Sequence, residues 1–453
     1  MKLYLSIALF FISFLGLPQD AYQPKKYVEL QHPEWSKNAT IYEVNLRQFT
    51  PEGTFKAFET HLPRLKALGV DIIWLMPIHP IGEKNRKGTL GSYYAVKDYY
   101  GVNPEYGSLT DFKALVDKIH AMGMHVILDW VANHSATDNA LIKQHPDWYI
   151  KDEAGNFEPT PWRDYDDIID FDYQQPGIRK YMTDALKYWV KETNIDGYRC
   201  DVASFIPLDF WENARKELDF IKPVFMLAES ETFDLHRKAF DMTYAWSLWD
   251  CLHKITTKKM TIQSLTEGYI AEHVSIFPEA GYRMAFLDNH DKNSWEGNVF
   301  KNFGDGLKPA MVLIGTIDGM PMLYSGQESG LDRSLNFFGK DSITWKEHEN
   351  GAIFKKLFEL KHRNQALWNG DWGGKMVRIK NNQMSNVISF SRTKDKDNVI
   401  VIINFSDQAK EVILENEYHK GNFTEVFTSK KIELVGKDKL QLAPWGYLVL
   451  ERN

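Results

Sequence analysis

The sequence of 453 residues has only two cysteines, Cys200 and Cys251. A disulfide framework is therefore not indicated, and Cys200 reads as a small buried hydrophobe. No basic block is present and the net charge is −7, which argues against nucleic acid as a partner. Beyond the N-terminus there is no long apolar run, so no membrane span is expected in the mature chain. No glycine-rich phosphate loop follows the first predicted strand. His-x-His and His-Glu-x-x-His frames are also missing, which leaves a metal-dependent barrel hydrolase little support.

Hydrophobic residues make up 43% of the chain and aromatics 14%. That is enough for a large core, with tyrosine and tryptophan to spare for neutral substrates such as sugars. At the N-terminus, Lys2 precedes an apolar run from Leu3 to Leu17. This is the plan of a secretory signal, assigned to residues 1–21, and it predicts export to the periplasm or the medium. A buried N-terminal helix is the alternative.

Strand-like runs and amphipathic helices alternate from residue 40 to residue 328. Strands are expected over 40–49, 70–78, 124–134, 195–203, 223–230, 241–246, 282–291 and 319–328. Phe55, Phe58, Leu62, Leu65 and Leu68 share one helical face, and Pro63 should kink or restart that helix. Asp209 and Glu212 read as a capping pair. Eight βα units predict an α/β fold, a closed parallel (β/α)8 barrel; a doubly wound open sheet is the alternative. Residues 135–172 are long, polar and aromatic, and read as an insertion after the third strand. Short β runs from residue 372 to residue 453 predict an antiparallel β-sandwich. The barrel is thus expected in two parts, 22–134 and 173–371.

Charged residues cluster where barrel strands end, the place where such barrels hold their reactive groups. Asp129 ends the third strand, Arg199 and Asp201 the fourth, Glu229 the fifth, and Asp288, His290 and Asp291 the seventh. Strand alternation puts Arg199 and Asp201 on one face and Cys200 on the other. Arg199 can favour an ionised Asp201, while the apolar run before Glu229 and the nearby Asp201 charge raise the pKa of Glu229. One ionised and one protonated carboxyl side by side is the equipment of a retaining glycosidase. The bland alternative for any one of these residues is a structural ion pair.

At these residues the chain resembles the α-amylase family, family 13 of the glycoside hydrolases. "DWVANH" (129–134), "GYRCD" (197–201), "LAES" (227–230) and "FLDNHD" (286–291) are similar to its four conserved regions, in order. The resemblance implies Asp201 as nucleophile, Glu229 as acid/base and Asp291 as the carboxylate that grips the reacting sugar. It implies Tyr94, His134, Arg199 and His290 as substrate-binding residues, with Tyr94 stacked under the sugar. It implies an α-glucan substrate, no organic cofactor, and a structural calcium with Asn133 and Asp170 as candidate ligands. For Asn133, a hydrogen bond to the insertion is the alternative. The expected activity is endo-hydrolysis of α-1,4-glucosidic bonds in starch, glycogen or maltooligosaccharides, by double displacement. A neopullulanase, cyclomaltodextrinase or transglycosylating member is the alternative, and a non-catalytic α-glucan-binding protein a remote one. Many family members carry Lys-His after the nucleophile. Ser204 and Phe205 stand there instead, which predicts shorter substrates or different acceptor handling. Trp148, Trp162 and Trp295 lie in loops expected near the cleft, where sugar stacking and core packing are both open.

Overall fold

The computed structural model describes residues 29–158, 165–415 and 419–452. The signal-like segment and Trp162 lie outside the described residues. Eight parallel strands close into a barrel: β1 (Ile41–Val44), β2 (Ile72–Leu75), β3 (His125–Trp130), β4 (Gly197–Cys200), β5 (Phe225–Ala228), β6 (Met242–Tyr244), β7 (Tyr282–Ala285) and β8 (Met320–Tyr324). They follow chain order round the barrel, and β8 pairs with β1. Every strand residue except His125 is buried, as expected when helices cover a sheet's outer face. The open-sheet alternative is thereby excluded.

The strands are shorter than their apolar runs. The first was expected over 40–49, yet Leu46–Phe49 is a helical turn. Its side chains explain the change: Gln48 donates to the carbonyls of Asn336 and Gly339, and Arg47 to those of Leu90 and Gly91. These polar contacts reach loops a straight strand could not serve. Pro63 acts as expected. One helix stops at Glu59 and the next, Leu62–Leu68, carries the proline in its first turn. Gly69 closes it at φ 98°, in the left-handed region that favours glycine. The Asp209–Glu212 capping pair does not form. Pro207 holds the cap position of helix Leu208–Asp219, and Asp209 pairs with Arg179 at 2.7 Å.

After β3 the chain leaves the barrel. Residues His134–Ala136 pair antiparallel with Ile168–Asp170, setting His134 opposite Asp170. The C-terminal domain is a six-stranded antiparallel sheet with a two-stranded sheet beside it. Ile400, Ile402, Val412, Leu414, Leu442 and Leu450 pack together in its core. Buried Arg392 joins this domain to the barrel by donating to the carbonyls of Ile317, Trp368 and Gly374. Among the described residues no helix is long and apolar enough to cross a membrane.

Candidate active site

The barrel register builds the site. Asp129 on β3 pairs with Arg199 on β4, and Cys200 pairs with Ala228 on β5. The next residues, Asp201 and Glu229, therefore leave adjacent strands at one level. Arg199 is fully buried beneath them. Its Nη1 donates to Asp129 Oδ1 at 2.8 Å and to Asp201 Oδ1 at 2.9 Å. Its Nη2 lies 3.0 Å from Glu229 Oε2, and its Nε donates to the Tyr244 hydroxyl. One guanidinium thus spans three carboxylates. Cys200 points the other way and is buried in the core.

Burial decides the protonation of these groups. It pushes Asp201 up to about 6, against the pull of Arg199. The expected effect of Arg199 is present, but desolvation outweighs it. Burial also pushes Glu229 up to about 7; Arg199 opposes the rise and Asp201 adds to it. Asp129 is carried to about 6 by the same desolvation. Glu229 therefore keeps its proton to higher pH than Asp201, the order an acid beside a nucleophile requires.

A cavity of about 210 Å³ opens over the carboxylates, lined by Tyr94, His134, Asp201, Glu229, His290 and Asp291 among others. Six of the seven residues expected to act or bind line it, and Arg199 lies beneath. Tyr94 stacks on His290, ring centroids 5.2 Å apart. His134 is buried, which holds its pKa down at about 4. Its Nε2 has no hydrogen-bond partner and is closed to solvent, so the neutral imidazole keeps an unpaired nitrogen inside the wall. Asp291 Oδ2 lies 3.3 Å from His290 Nε2.

Some lining residues, Tyr165 and Phe337 among them, escaped the sequence, and the tryptophans it left open now separate. Trp295, half exposed, lines the cavity with Phe337 and Tyr165, whereas Trp148 stacks on His145 away from it. Glu43 on β1 is fully buried and binds His290 Nδ1 at 2.5 Å. A lone acid inside the apolar run of β1 was the available signal for it.

The calcium candidates lie together. Asn133 and Asp170 are both buried, Asn133 hydrogen-bonds to the Asp170 carboxylate, and Asp170 Oδ1 has no partner. An orphaned carboxylate oxygen suits a hard cation, but calcium takes six to eight oxygens. Among the described residues no group of three His, Cys, Asp or Glu side chains gathers for a metal, so backbone carbonyls or water would supply the remainder.

Comparison with known proteins agrees with this geometry. Residues 31–375 match the family described as alpha amylase, catalytic domain, and residues 377–449 the family described as maltogenic amylase, C-terminal domain. The chain is similar to a noncanonic maltogenic alpha-amylase from Thermotoga neapolitana, with 31% identity and a TM-score of 0.84 over 92% of this chain and 99% of that one. An alpha-amylase from Lactobacillus plantarum shares 30% identity with a TM-score of 0.80, over 92% of this chain and 100% of that one. The maltogenic alpha-amylase of Bacillus acidopullulyticus is 23% identical, over 93% of this chain and 78% of its own length. The alpha-amylase of Haloarcula japonica is 26% identical over 83% of this chain, which spans only 56% of that protein's length. The chain belongs to the alpha-amylase catalytic-domain family of glycoside hydrolases.

Proposed function

We propose that this chain is a retaining hydrolase of α-glucosidic bonds that works on cyclomaltodextrins and short maltooligosaccharides in preference to long starch chains. The observation that carries the chemistry is the single buried guanidinium of Arg199 against both Asp201 and Glu229. It supports the close spacing of about 5–5.5 Å that retaining enzymes use, not the ~6.5–9.5 Å that leaves room for a water in inverting ones. In the first step Asp201 attacks the anomeric carbon while Glu229 protonates the departing glycosidic oxygen. In the second, Glu229 takes a proton from water, the water attacks the glycosyl ester, and Asp201 leaves as a carboxylate. Asp291 and His290 hold hydroxyls of the distorted sugar, Tyr94 supports its ring, and His134 lines the cavity beside it.

The preference for short or cyclic substrates rests on three supports. The cavity over the carboxylates is small, about 210 Å³, and Tyr165 and Trp295 line it. Ser204 and exposed Phe205 follow the nucleophile where many family members have Lys-His. Relatives include proteins named maltogenic alpha-amylase and cyclomaltodextrinase, of whose length the match covers 78% and 75%. The test is the rate of reducing-sugar release from β-cyclodextrin, pullulan and soluble starch, with the anomer of the first product read by proton NMR. Faster cyclodextrin cleavage with an α product is expected. Faster starch cleavage would return the reading to an endo-acting α-amylase, and a β product would exclude double displacement.

Two further assignments belong to the same reading. Export rests on Lys2 and the apolar run that follows, and fractionation of cells expressing the full chain tests it. A structural calcium at Asn133 and Asp170 rests on the orphaned Asp170 Oδ1. A fall in Tm on chelation, restored by added calcium, is the expected result; an unchanged Tm would remove it.

A further inference from the structure

His290 is enclosed by acceptors. On one side Nδ1 lies 2.5 Å from Glu43 Oε1. On the other, Nε2 lies 2.8 Å from the Tyr94 hydroxyl and 3.3 Å from Asp291 Oδ2. The Tyr94 hydroxyl already has an acceptor for its one proton, Asp129 Oδ2 at 3.1 Å. With Glu43 ionised, counting protons leaves one arrangement that satisfies every contact, in which both nitrogens of His290 carry hydrogen; a Glu43 that kept its proton would instead donate to a neutral Nδ1, the alternative that the nitrogen spectrum below separates. Nδ1–H donates to Glu43, Nε2–H donates toward Tyr94 and Asp291, and Tyr94 O–H donates to Asp129. From Asp129 the chain continues through Arg199 Nη1 to Asp201. A continuous line of polar contacts therefore runs from β1 to the nucleophile.

We propose that Glu43 is a positioning residue of this site: it holds His290 doubly protonated, so that Nε2–H remains a donor at the sugar-binding wall and the Tyr94 hydroxyl remains aimed at Asp129. The inference rests on the proposed function only in taking the cavity to bind a sugar. Without the Glu43 charge, His290 keeps the single proton on Nδ1, and Nε2 becomes an acceptor facing the Asp291 carboxylate. Tyr94 O–H then turns from Asp129 to Nε2, and the contact line breaks.

The charged and titratable groups around His290 come from several elements. Glu43 reaches it from β1, Asp129 from β3 and Arg199 from β4; Tyr94 comes from the loop after β2, and Asp288 and Asp291 from its own segment. Tyr324 on β8 faces Glu43. Trp74 and Phe337 complete the wall with rings. Burial and Arg199 work against the imidazolium, yet Asp291 and Glu43 carry its pKa up to about 9. The unpaired Glu43 Oε2 shows that this acid serves no other side chain.

The experiment is nitrogen NMR of the full chain labelled with 15N-histidine, with His290 assigned by its loss in His290→Gln. In the wild type both ring nitrogens should read as protonated through pH 8. In Glu43→Gln the ring should be neutral by pH 7.5. kcat on the preferred α-glucan should fall on the order of 10–100-fold, less than a lost donor costs outright, with a smaller change in KM. The basic limb of the pH profile should steepen as a second group joins it, and Glu43→Asp, which keeps the charge, should restore part of kcat. A neutral His290 in the wild type at pH 7.5 would overturn the proposal, as would unchanged shifts and kcat in Glu43→Gln. Should Glu43→Gln fail to fold, the wild-type titration alone decides. The NMR result does not depend on turnover, so an inactive wild type would sink the proposed function and leave this inference to its own test.

Discussion

Val202 donates its backbone N–H to Glu229 Oε2 at 2.8 Å, and does so from φ 38°, ψ 45°. A β-branched residue in the left-handed region is a true outlier. The strain costs on the order of 1–3 kcal/mol and persists only where the surroundings over-determine it. Here they do: Val202 follows the nucleophile directly, and Ala203 N–H donates to the Glu229 carbonyl while Glu229 N–H donates to the Cys200 carbonyl. The turn after β4 is thus pinned to the end of β5 from both sides. Sharp turning sends the chain away from the cavity after Asp201 and points an amide at the acid.

Replacing Val202 by glycine should release this strain and keep the N–H. Gly costs about 0.5–1 kcal/mol in chain entropy, which offsets part of the relief. Tm should therefore hold or rise slightly, with kcat within a few-fold of wild type. A fall in Tm of several degrees in a thermal melt would show that the turn stores no strain.

Activity should follow a bell in pH. Asp201, at about 6, must be ionised to attack, so activity is lost as pH falls through that value. Glu229, at about 7, must be protonated to donate, so activity is lost as pH rises through that value. The optimum should fall between the two. Glu229→Gln should lower kcat by about 10²–10⁴-fold and abolish the basic limb, and Asp201→Asn should lose at least as much. An unmoved basic limb in Glu229→Gln would take the acid role from this residue.

How far the site was legible depends on where each residue sits. Arg199, Asp201 and Glu229 lie on or just after barrel strands. Alternation along β4, with one loop, helix and strand between the two acids, was enough to place them together. Glu43 obeys the same alternation but stands alone in an apolar run, so nothing in the sequence pointed to His290 as its partner. Trp295 sits on a short helical segment, Lys292–Glu296, and Phe337 on a turn, and no periodicity encodes where either goes; Trp295 and Trp148 looked alike until these segments were placed. Strand ends were overestimated for a physical reason as well. The apolar runs continue past the last ladder pair because loop residues such as Phe286 and Leu287 are buried too.

The far end of the barrel carries a separate prediction about stability. Asp196, just before β4, accepts from His120 Nε2 at 2.7 Å, Lys222 Nζ at 2.9 Å and Val126 N at 2.9 Å. Burial opposes its charge, but these partners with His125 hold its pKa far below the usual carboxylate range. A carboxyl with a depressed folded pKa stabilises the fold above its unfolded value, about 3.9, and the gain is lost as pH falls below that. Its partners His120, His125 and Lys222 are about a quarter exposed, so Asp196→Asn should cost about 2–3 kcal/mol, less than the ~3–5 of a fully buried pair. Urea unfolding at pH 7 and pH 3.5 checks this: the gap between wild type and variant should narrow at the lower pH.

Trp295 is the residue whose removal should separate binding from chemistry. It is 52% exposed, lines the cavity, and lies 5.4 Å from Phe337 and 5.8 Å from Phe338, ring centre to ring centre. A large aromatic left half open beside two others has not been placed there by the core, which gains little from it. Trp295 lines the cavity, and a sugar face against it should be worth roughly 0.5–1.5 kcal/mol, the range of aromatic contacts. The half-exposed indole makes no hydrogen bond to the carboxylates that Arg199 holds, so its contact should act on ground state and transition state alike. Trp295→Ala should raise KM about two- to tenfold on a maltooligosaccharide and leave kcat nearly unchanged, the signature of lost uniform binding. Equal losses in kcat and kcat/KM would instead mean that the indole orders the loop bearing Asp291, four residues earlier in the chain.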